Sequence, residues 1–194
     1  MSVKSLVFAT NNPKKLEEAR QLIGDKFKIV SLKEMGFEED IPEPHDTLEA
    51  NALEKARVIH QKFGGNCFSE DTGLEVEALE GRPGVHSARY AGAARSAAAN
   101  MALVLEQLSD KSNRNAQFRT VIALILEEKE YLFEGIIKGQ ILYQKTGSKG
   151  FGYDPIFQPL DYTKSFAEMD TLTKNKMSHR GRAITKLIDF LKQK

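Results

Sequence analysis

Residues 150–157 (GFGYDPIF) place two glycines around an aromatic, then a second aromatic, an acid and a proline. Gly150 and Gly152 permit unusual dihedrals and close backbone approach. Pro155 biases Asp154 away from helix. Phe151 and Tyr153 offer flat faces and Asp154 a carboxylate, a wall suited to a flat polar ligand such as a nucleobase. A structural turn is the alternative, and this segment alone does not separate the two.

Three more polar segments carry chemistry. Thr10, Asn11, Asn12, Pro13, Lys14 and Lys15 join a strand-like run to a helical one. Ligands of open α/β sheets bind at such junctions. Amides at a helix start favour anions, and lysine adds charge. The segment lacks the glycines and the Lys-Ser/Thr pair of a Walker A loop. Its bland reading is a capped helix with solvated lysines. The second segment is Glu70-Asp71-Thr72-Gly73, read as following a short strand. Carboxylates there suit Mg²⁺, which is held by few acids together with waters and phosphates. An acid there also suits water activation, and a polar turn is the alternative. Glu43 offers a second carboxylate, but composition does not select it over Glu38, Glu39 or Asp40.

The third runs from Lys174 to Arg180 and enters the last helix behind Ser178 as N-cap. His179 and Arg180 then fall in the first turn, where the helix dipole disfavours cations. That placement points to an anionic or carbonyl-bearing partner, or else to a solvated basic turn. No second His or Cys stands at ligand spacing from His179. Together the four segments supply amides and lysine for phosphates, acids for Mg²⁺, aromatics for a base, and His/Arg donors. The set describes metal-assisted phosphoryl chemistry on a nucleotide.

The elements that must position these residues follow from periodicity. Residues 3–9 form a short buried strand. Leu16, Ala19, Leu22 and Ile23 share a helical face behind Pro13, and residues 27–31 form a second strand. Residues 34–44 form an acidic, proline-bearing loop. Asp46 with Glu49 predicts a capping box for a helix carrying Leu48, Ala52, Leu53, Ala56 and Ile59, ended by Gly64-Gly65. Residues 66–69 and 74–79 read as two extended pieces, and residues 81–92 as irregular. Ser96 caps a helix with Met101, Val104, Leu105 and Leu108. Residues 116–126 and 131–143 form a long hairpin around residues 127–130. Ile184, Leu187, Ile188 and Leu191 stripe the final helix. The class is α/β with a mixed sheet bent into two lobes.

Composition bounds the rest. At 194 residues, 41% hydrophobic, the chain can bury a substantial core. A net charge of +1 gives no field for nucleic acid or membrane. The single cysteine, Cys67, makes no intrachain disulfide and reads as core, which suits a reducing compartment. Without a signal-like or membrane-spanning run, the cytoplasm is expected.

The motifs resemble those of the noncanonical purine nucleoside triphosphate pyrophosphatases, the inosine triphosphate / dITP–XTP pyrophosphatase family. The resemblance runs end to end. It rests on Ala9-Thr10-x-Asn12-x-x-Lys15, Asn51-Ala52-x-x-Lys55-Ala56, Glu70-Asp71-Thr72-Gly73-Leu74, Pro83-Gly84-x-x-Ser87-Ala88-Arg89-Tyr90, residues 150–157, and Lys174-Asn175-x-x-Ser178-His179-Arg180. It implies a single domain over residues 1–194, a long bent mixed sheet with helices on both sides, two lobes flanking a central active-site cleft, and a homodimer. It implies Mg²⁺-dependent hydrolysis of ITP, dITP and XTP to the monophosphate and pyrophosphate. By position, Thr10, Asn12 and Lys15 grip the triphosphate together with Asn11, Pro13 and Lys14. Asp71 is the acid at the metal and the attacking water, Thr72 lies beside the nucleotide, and Glu43 is the other metal-side carboxylate. Phe151, Gly152, Tyr153, Asp154, Lys174, His179 and Arg180 frame the base and sugar. Many relatives have Gly at the position of Asn11 and two Asp at Glu70-Asp71, which leaves the role of Glu70 open.

The expected mechanism is in-line attack of water on the α-phosphorus, with Lys15 and Lys174 stabilising phosphate charge. Donors from His179 or Arg180 to a 6-keto oxygen would reject adenine. Two rivals remain: a non-catalytic nucleotide-binding module, and a pyrophosphatase for modified pyrimidine nucleotides.

Overall fold

The computed structural model describes residues 5–194; the part of the first expected strand at Val3 and Lys4 lies outside them. In chain order the elements are β1 (Ser5–Phe8), α1 (Pro13–Ile23), β2 (Lys28–Ser31), α2 (Leu48–Phe63), β3 (Cys67–Val76), β4 (Pro83–Gly84), α3 (Ala97–Gln107), β5 (Asn115–Leu126), β6 (Lys129–Ile141), β7 (Phe157–Pro159), α4 (Thr171–Met177) and α5 (His179–Leu191). The strands form one mixed sheet in the order β2-β1-β3-β5-β6-β7, with β4 added beside β3. β1 pairs in parallel with both β2 and β3, while β3–β4 and β6–β7 are antiparallel. The expected α/β class with a mixed sheet is what the chain adopts.

Two compact units share the chain. One comprises the described residues up to Asp71 with Thr120–Gly135 and Gly181–Lys194; the other comprises Thr72–Arg119 and Ile136–Arg180. Each has its own core. In the first, Leu6, Phe8, Ala19, Ile29, Phe68, Ile122 and Leu124 pack with Ile184, Leu187 and Leu191 of α5. Phe8 and Phe68 are register partners on adjacent strands, and their rings stack at 4.3 Å. In the second, Leu74, Val76, Met101, Val104, Phe118, Ile137, Phe157 and Phe166 form the centre.

Three local readings need correction. The helix α2 is capped by Thr47, whose hydroxyl accepts from the Ala50 amide at 3.2 Å, and not by Asp46. The cap must sit three residues before the amide it receives, and Thr47 holds that register. The two extended pieces at 66–69 and 74–79 are one ten-residue strand, β3, that passes through Glu70-Asp71-Thr72-Gly73 without a turn. Gly73 is there for space: a Cβ would lie 2.7 Å from the Gly84 carbonyl oxygen of β4. The third is α4, which periodicity does not reveal because its seven residues are too few to show a stripe.

The β5–β6 hairpin closes through two residues, Glu127 and Glu128, with φ of 52° and 63°. Such turns favour Asn-Gly, and a left-handed non-glycine residue costs on the order of 1 kcal/mol or more. Neighbours offset that cost. The Glu127 amide donates to Asn66 Oδ1 at 3.1 Å, and the Glu128 carboxylate lies 3.0 Å from His60 Nε2. His60 Nδ1 lies 2.8 Å from the Gly65 carbonyl. Both partners only accept, so both ring nitrogens donate in the imidazolium form. The Gly65 carbonyl first, and Glu128 second, raise the His60 pKa above its ordinary value.

A raised folded-state pKa contributes stability that is present below about pH 6.5 and lost as pH rises through the folded value. Removing the carboxylate in Glu128→Gln should therefore lower the melting temperature clearly at pH 6 and much less at pH 9. Thermal denaturation across that range checks it, and an equal loss at both pH values would contradict it.

Candidate functional site

Strand alternation explains how β3 deploys its polar residues. Successive side chains point to opposite faces. Cys67, Ser69 and Asp71 all meet α2: the Cys67 thiol donates to the Ala56 carbonyl, the Ser69 hydroxyl to the Ala52 carbonyl, and Asp71 faces Lys55. On the other parity, Phe68 enters the core that holds Ala19 of α1, and Glu70 meets Lys15 of α1. The two adjacent acids therefore take lysines from two different helices.

Glu70 is buried, and its Oε1 lies 3.2 Å from Lys15 Nζ. The role left open for Glu70 is thus structural in part: it holds Lys15. Asp71 is 6% exposed, with Oδ1 3.4 Å from Lys55 Nζ. The same ammonium lies 2.5 Å from Glu43 Oε1. Lys55 therefore stands between the two carboxylates expected at a metal. Burial pushes the Asp71 carboxyl above the usual carboxylate range and Glu43 adds to the push, while Lys55 and Lys15 oppose it. A carboxylate raised in this way is a better proton acceptor.

Lys55 belongs to one of the sequence motifs, yet motif reasoning gives it no role at the site. A signal for that role is present, because Lys55 falls on the stripe of Ala52, Ala56 and Ile59 that α2 buries. A lysine on an apolar stripe needs a buried acid.

The donor set suits Mg²⁺. That ion takes one or two carboxylates and completes its shell with waters and substrate phosphates. Among the described residues no group of three His, Cys, Asp or Glu side chains stands ready to hold a metal alone. Glu43 and Asp71, bridged by one ammonium, mark a point where two carboxylates already share a cation.

The α1 junction departs from expectation. Asn12 caps α1: its Oδ1 accepts from the Lys14 and Lys15 amides at 3.0 and 3.3 Å. Those two amides are therefore engaged and not open to an anion. Thr10 Oγ1 accepts from the Asn12 amide at 3.2 Å, and Pro13 takes the first helical position. Lys14 is exposed beside Glu17. Asn11 is not among the described residues with positive φ, so it does not use the left-handed tolerance of asparagine. Its side chain instead donates to the Glu39 carbonyl at 2.8 Å.

The second unit brings together Phe151, Asp154, Lys174, His179 and Arg180. Tyr153 is no ligand wall: it is 5% exposed in the core, and its hydroxyl donates to the Ser87 carbonyl at 2.8 Å. Asp154 is buried; its Oδ2 accepts from the Phe151 amide and from Lys174 Nζ, both at 2.7 Å. Lys174, equally buried, is the counter-ion of Asp154. Gly150, at φ 75°, makes room, since a Cβ there would collide with Asp154 Oδ2.

Phe151 remains half-buried, with Lys174 Nζ 5.0 Å and Arg180 Cζ 5.5 Å from its ring centre. Both cations reach its π system. His179 stacks on Phe118 at 4.6 Å and 15°. As expected, it opens α5 next to Arg180, but both are buried. Gly152 and Thr72 are both partly exposed, Gly152 at φ 63°.

Comparison with known proteins follows the same pattern. Residues 6–190 match the model of the Ham1 family. The chain belongs to the Ham1 family. It is 54% identical over 190 residues to the dITP/XTP pyrophosphatase of Porphyromonas gingivalis, covering 97% of this chain and 98% of that protein. Identity to the dITP/XTP pyrophosphatase of Flavobacterium psychrophilum is 52% over 187 residues, 96% of this chain and 98% of that one. The structure of a Ham1 protein from Coxiella burnetii superposes with a TM-score of 0.91 at 36% identity, covering 99% of this chain and 100% of the other.

The Asp154–Lys174 pair sets a stability test. Lys174→Met leaves Asp154 as a buried carboxylate without its ammonium and should cost on the order of 3 kcal/mol. Urea denaturation reads it as a lower midpoint at an unchanged slope. A midpoint within error of the unaltered protein would place the pair in solvent instead.

Proposed function

We infer that this Ham1 family member is a nucleoside triphosphate pyrophosphatase that hydrolyses dITP, XTP and ITP to the monophosphate and pyrophosphate. Full-length relatives at about half identity bear the name dITP/XTP pyrophosphatase, which favours an enzyme over a non-catalytic nucleotide binder and purine over pyrimidine substrates. The observation that carries the chemical reading is the cation-bridged pair, Glu43 and Asp71 on one Lys55 ammonium.

We assign the phosphates to Lys15 and the residues around it. Lys15, steadied by Glu70, neutralises phosphate charge, as does Lys55 once it releases its acids. Thr10, Asn11, Asn12, Pro13 and Lys14 shape that end. Asp71 and Glu43 would hold Mg²⁺ together with phosphate oxygens, and the ion would offset charge on the departing pyrophosphate. Asp71 orients a water for in-line attack on the α-phosphorus and takes up its proton.

We assign the base to the residues around Phe151. Phe151 supplies the stacking face, and Arg180 and His179 supply donors toward a 6-keto group. Asp154 and Lys174 keep the Phe151 loop in place, Gly152 lets it bend, and Thr72 lies at the nucleotide. Adenine, with an amino group at that position, would leave the donors without acceptors, a mismatch worth roughly 10⁴ in rate at well-built sites. We also assign a homodimer, and the cytoplasm, where a lone buried thiol suits reducing conditions. No helix among the described residues is long and apolar enough to cross a membrane.

The decisive experiment resolves products by ³¹P NMR after incubation with Mg²⁺ and each of dITP, XTP, ITP, ATP and GTP. Monophosphate and pyrophosphate should form from the first three only; orthophosphate would move attack to the γ-phosphorus and overturn the mechanism. Asp71→Asn should lose at least about 100-fold in kcat with an unchanged circular dichroism spectrum. Near-normal turnover would remove Asp71 from the water-activating step.

A further inference from the structure

Glu43 lies in a loop without regular structure between β2 and α2. Its carboxylate is held by Lys55, a partner that the reaction must share with substrate. Something else has to keep the loop in position when that contact opens. Asn51, on the first turns of α2, meets the requirement. Its Nδ2 donates to the His45 carbonyl at 3.0 Å, and its Oδ1 accepts from the His45 amide at 2.9 Å. One side-chain amide thus closes both backbone groups of a residue two positions after Glu43.

Asn51 itself is fully buried and its two bonds are part-buried, so water competes less for them than for a bond at the surface. The loop has another tether, Asn11 to the Glu39 carbonyl, but that bond is exposed and correspondingly weaker. Only a side chain with both a donor and an acceptor can make the clamp. Aspartate accepts but cannot donate, and alanine does neither. Asn51 also stands four residues, about one helical turn, before Lys55. The same helix face therefore sets the Glu43 backbone and the cation between Glu43 and Asp71.

We propose that Asn51 is the positioning residue for Glu43, holding the loop so that the carboxylate can exchange Lys55 for a divalent cation. The role rests on the pyrophosphatase reading of the site. Residues that orient a metal-side ligand typically change metal affinity 10–100-fold when replaced.

The test compares the unaltered protein with Asn51→Ala, Asn51→Asp and the control Cys67→Ala. The control removes a thiol that also meets α2, at the Ala56 carbonyl, and makes no bond to His45 or Glu43 among those described. In the metal-free protein, hydrogen exchange of the His45 amide should accelerate about tenfold in Asn51→Ala. With dITP, half-saturating Mg²⁺ should rise about tenfold or more in both Asn51 variants, while KM at saturating Mg²⁺ stays near the unaltered value. Cys67→Ala should change neither quantity. Asn51→Asp, of nearly equal volume, carries the measurement if Asn51→Ala does not fold.

An unchanged His45 exchange rate overturns the clamp. Faster exchange with unchanged half-saturating Mg²⁺ reduces Asn51 to a stabiliser of the loop. An equal rise in Cys67→Ala assigns the effect to α2 as a whole. Lack of Mg²⁺-dependent turnover in the unaltered protein overturns the functional reading itself, and the role of Asn51 with it.

Discussion

Two carboxylates on consecutive positions of a buried strand are the constraint around which the first unit is organised. Glu70 and Asp71 are 2% and 6% exposed within β3. An isolated buried carboxylate is costly, and a nearby cation is the ordinary remedy. Because the strand sends the two acids to opposite faces, one lysine cannot serve both. Each helix flanking β3 supplies one: Lys15 from α1 and Lys55 from α2. Removing Glu70 takes a buried partner from Lys15, and removing Asp71 leaves Lys55 with Glu43.

A network built to be balanced would be inert. This one is not balanced, since burial leaves the Asp71 carboxyl above its ordinary range despite two lysines nearby. Lys55 holds Glu43 more closely than Asp71, at 2.5 against 3.4 Å. In the proposed function the ion pair is a resting arrangement, with Lys55 standing where a metal would bring its own charge. Stability given up at such a residue is a common companion of activity.

The second unit uses buried charge differently. Asp154 and Lys174 meet at 2.7 Å, both almost fully buried, and the same carboxylate receives the Phe151 amide. Here the pair shapes a loop. The glycine that opens the segment is required because the carboxylate occupies the space a side chain would need. Phe151 is then presented as a half-buried face with two cations near its ring.

Much of this was legible in the chain. Periodicity over a few residues determined α1, α3, α5 and the β5–β6 hairpin, Pro13 marked the start of α1, and spacing determined the cap at Ser96. Asp71, Phe151 and Arg180 stood out by motif, whereas Glu43 came only from the family resemblance and not from its composition. What the tertiary structure alone decided was which charges meet. Lys55 and Asp71 are 16 residues apart, Lys174 and Asp154 are 20, and no local pattern reports a pairing at that range. It also decided that Glu70 to Gly73 continue a strand and that Tyr153 is core. Each depends on a neighbour, β4 against Gly73 and the Ser87 carbonyl against the Tyr153 hydroxyl. Local sequence sets the conformational preference of a segment; whether a polar group there is exposed, paired or poised is set by what the rest of the chain brings against it.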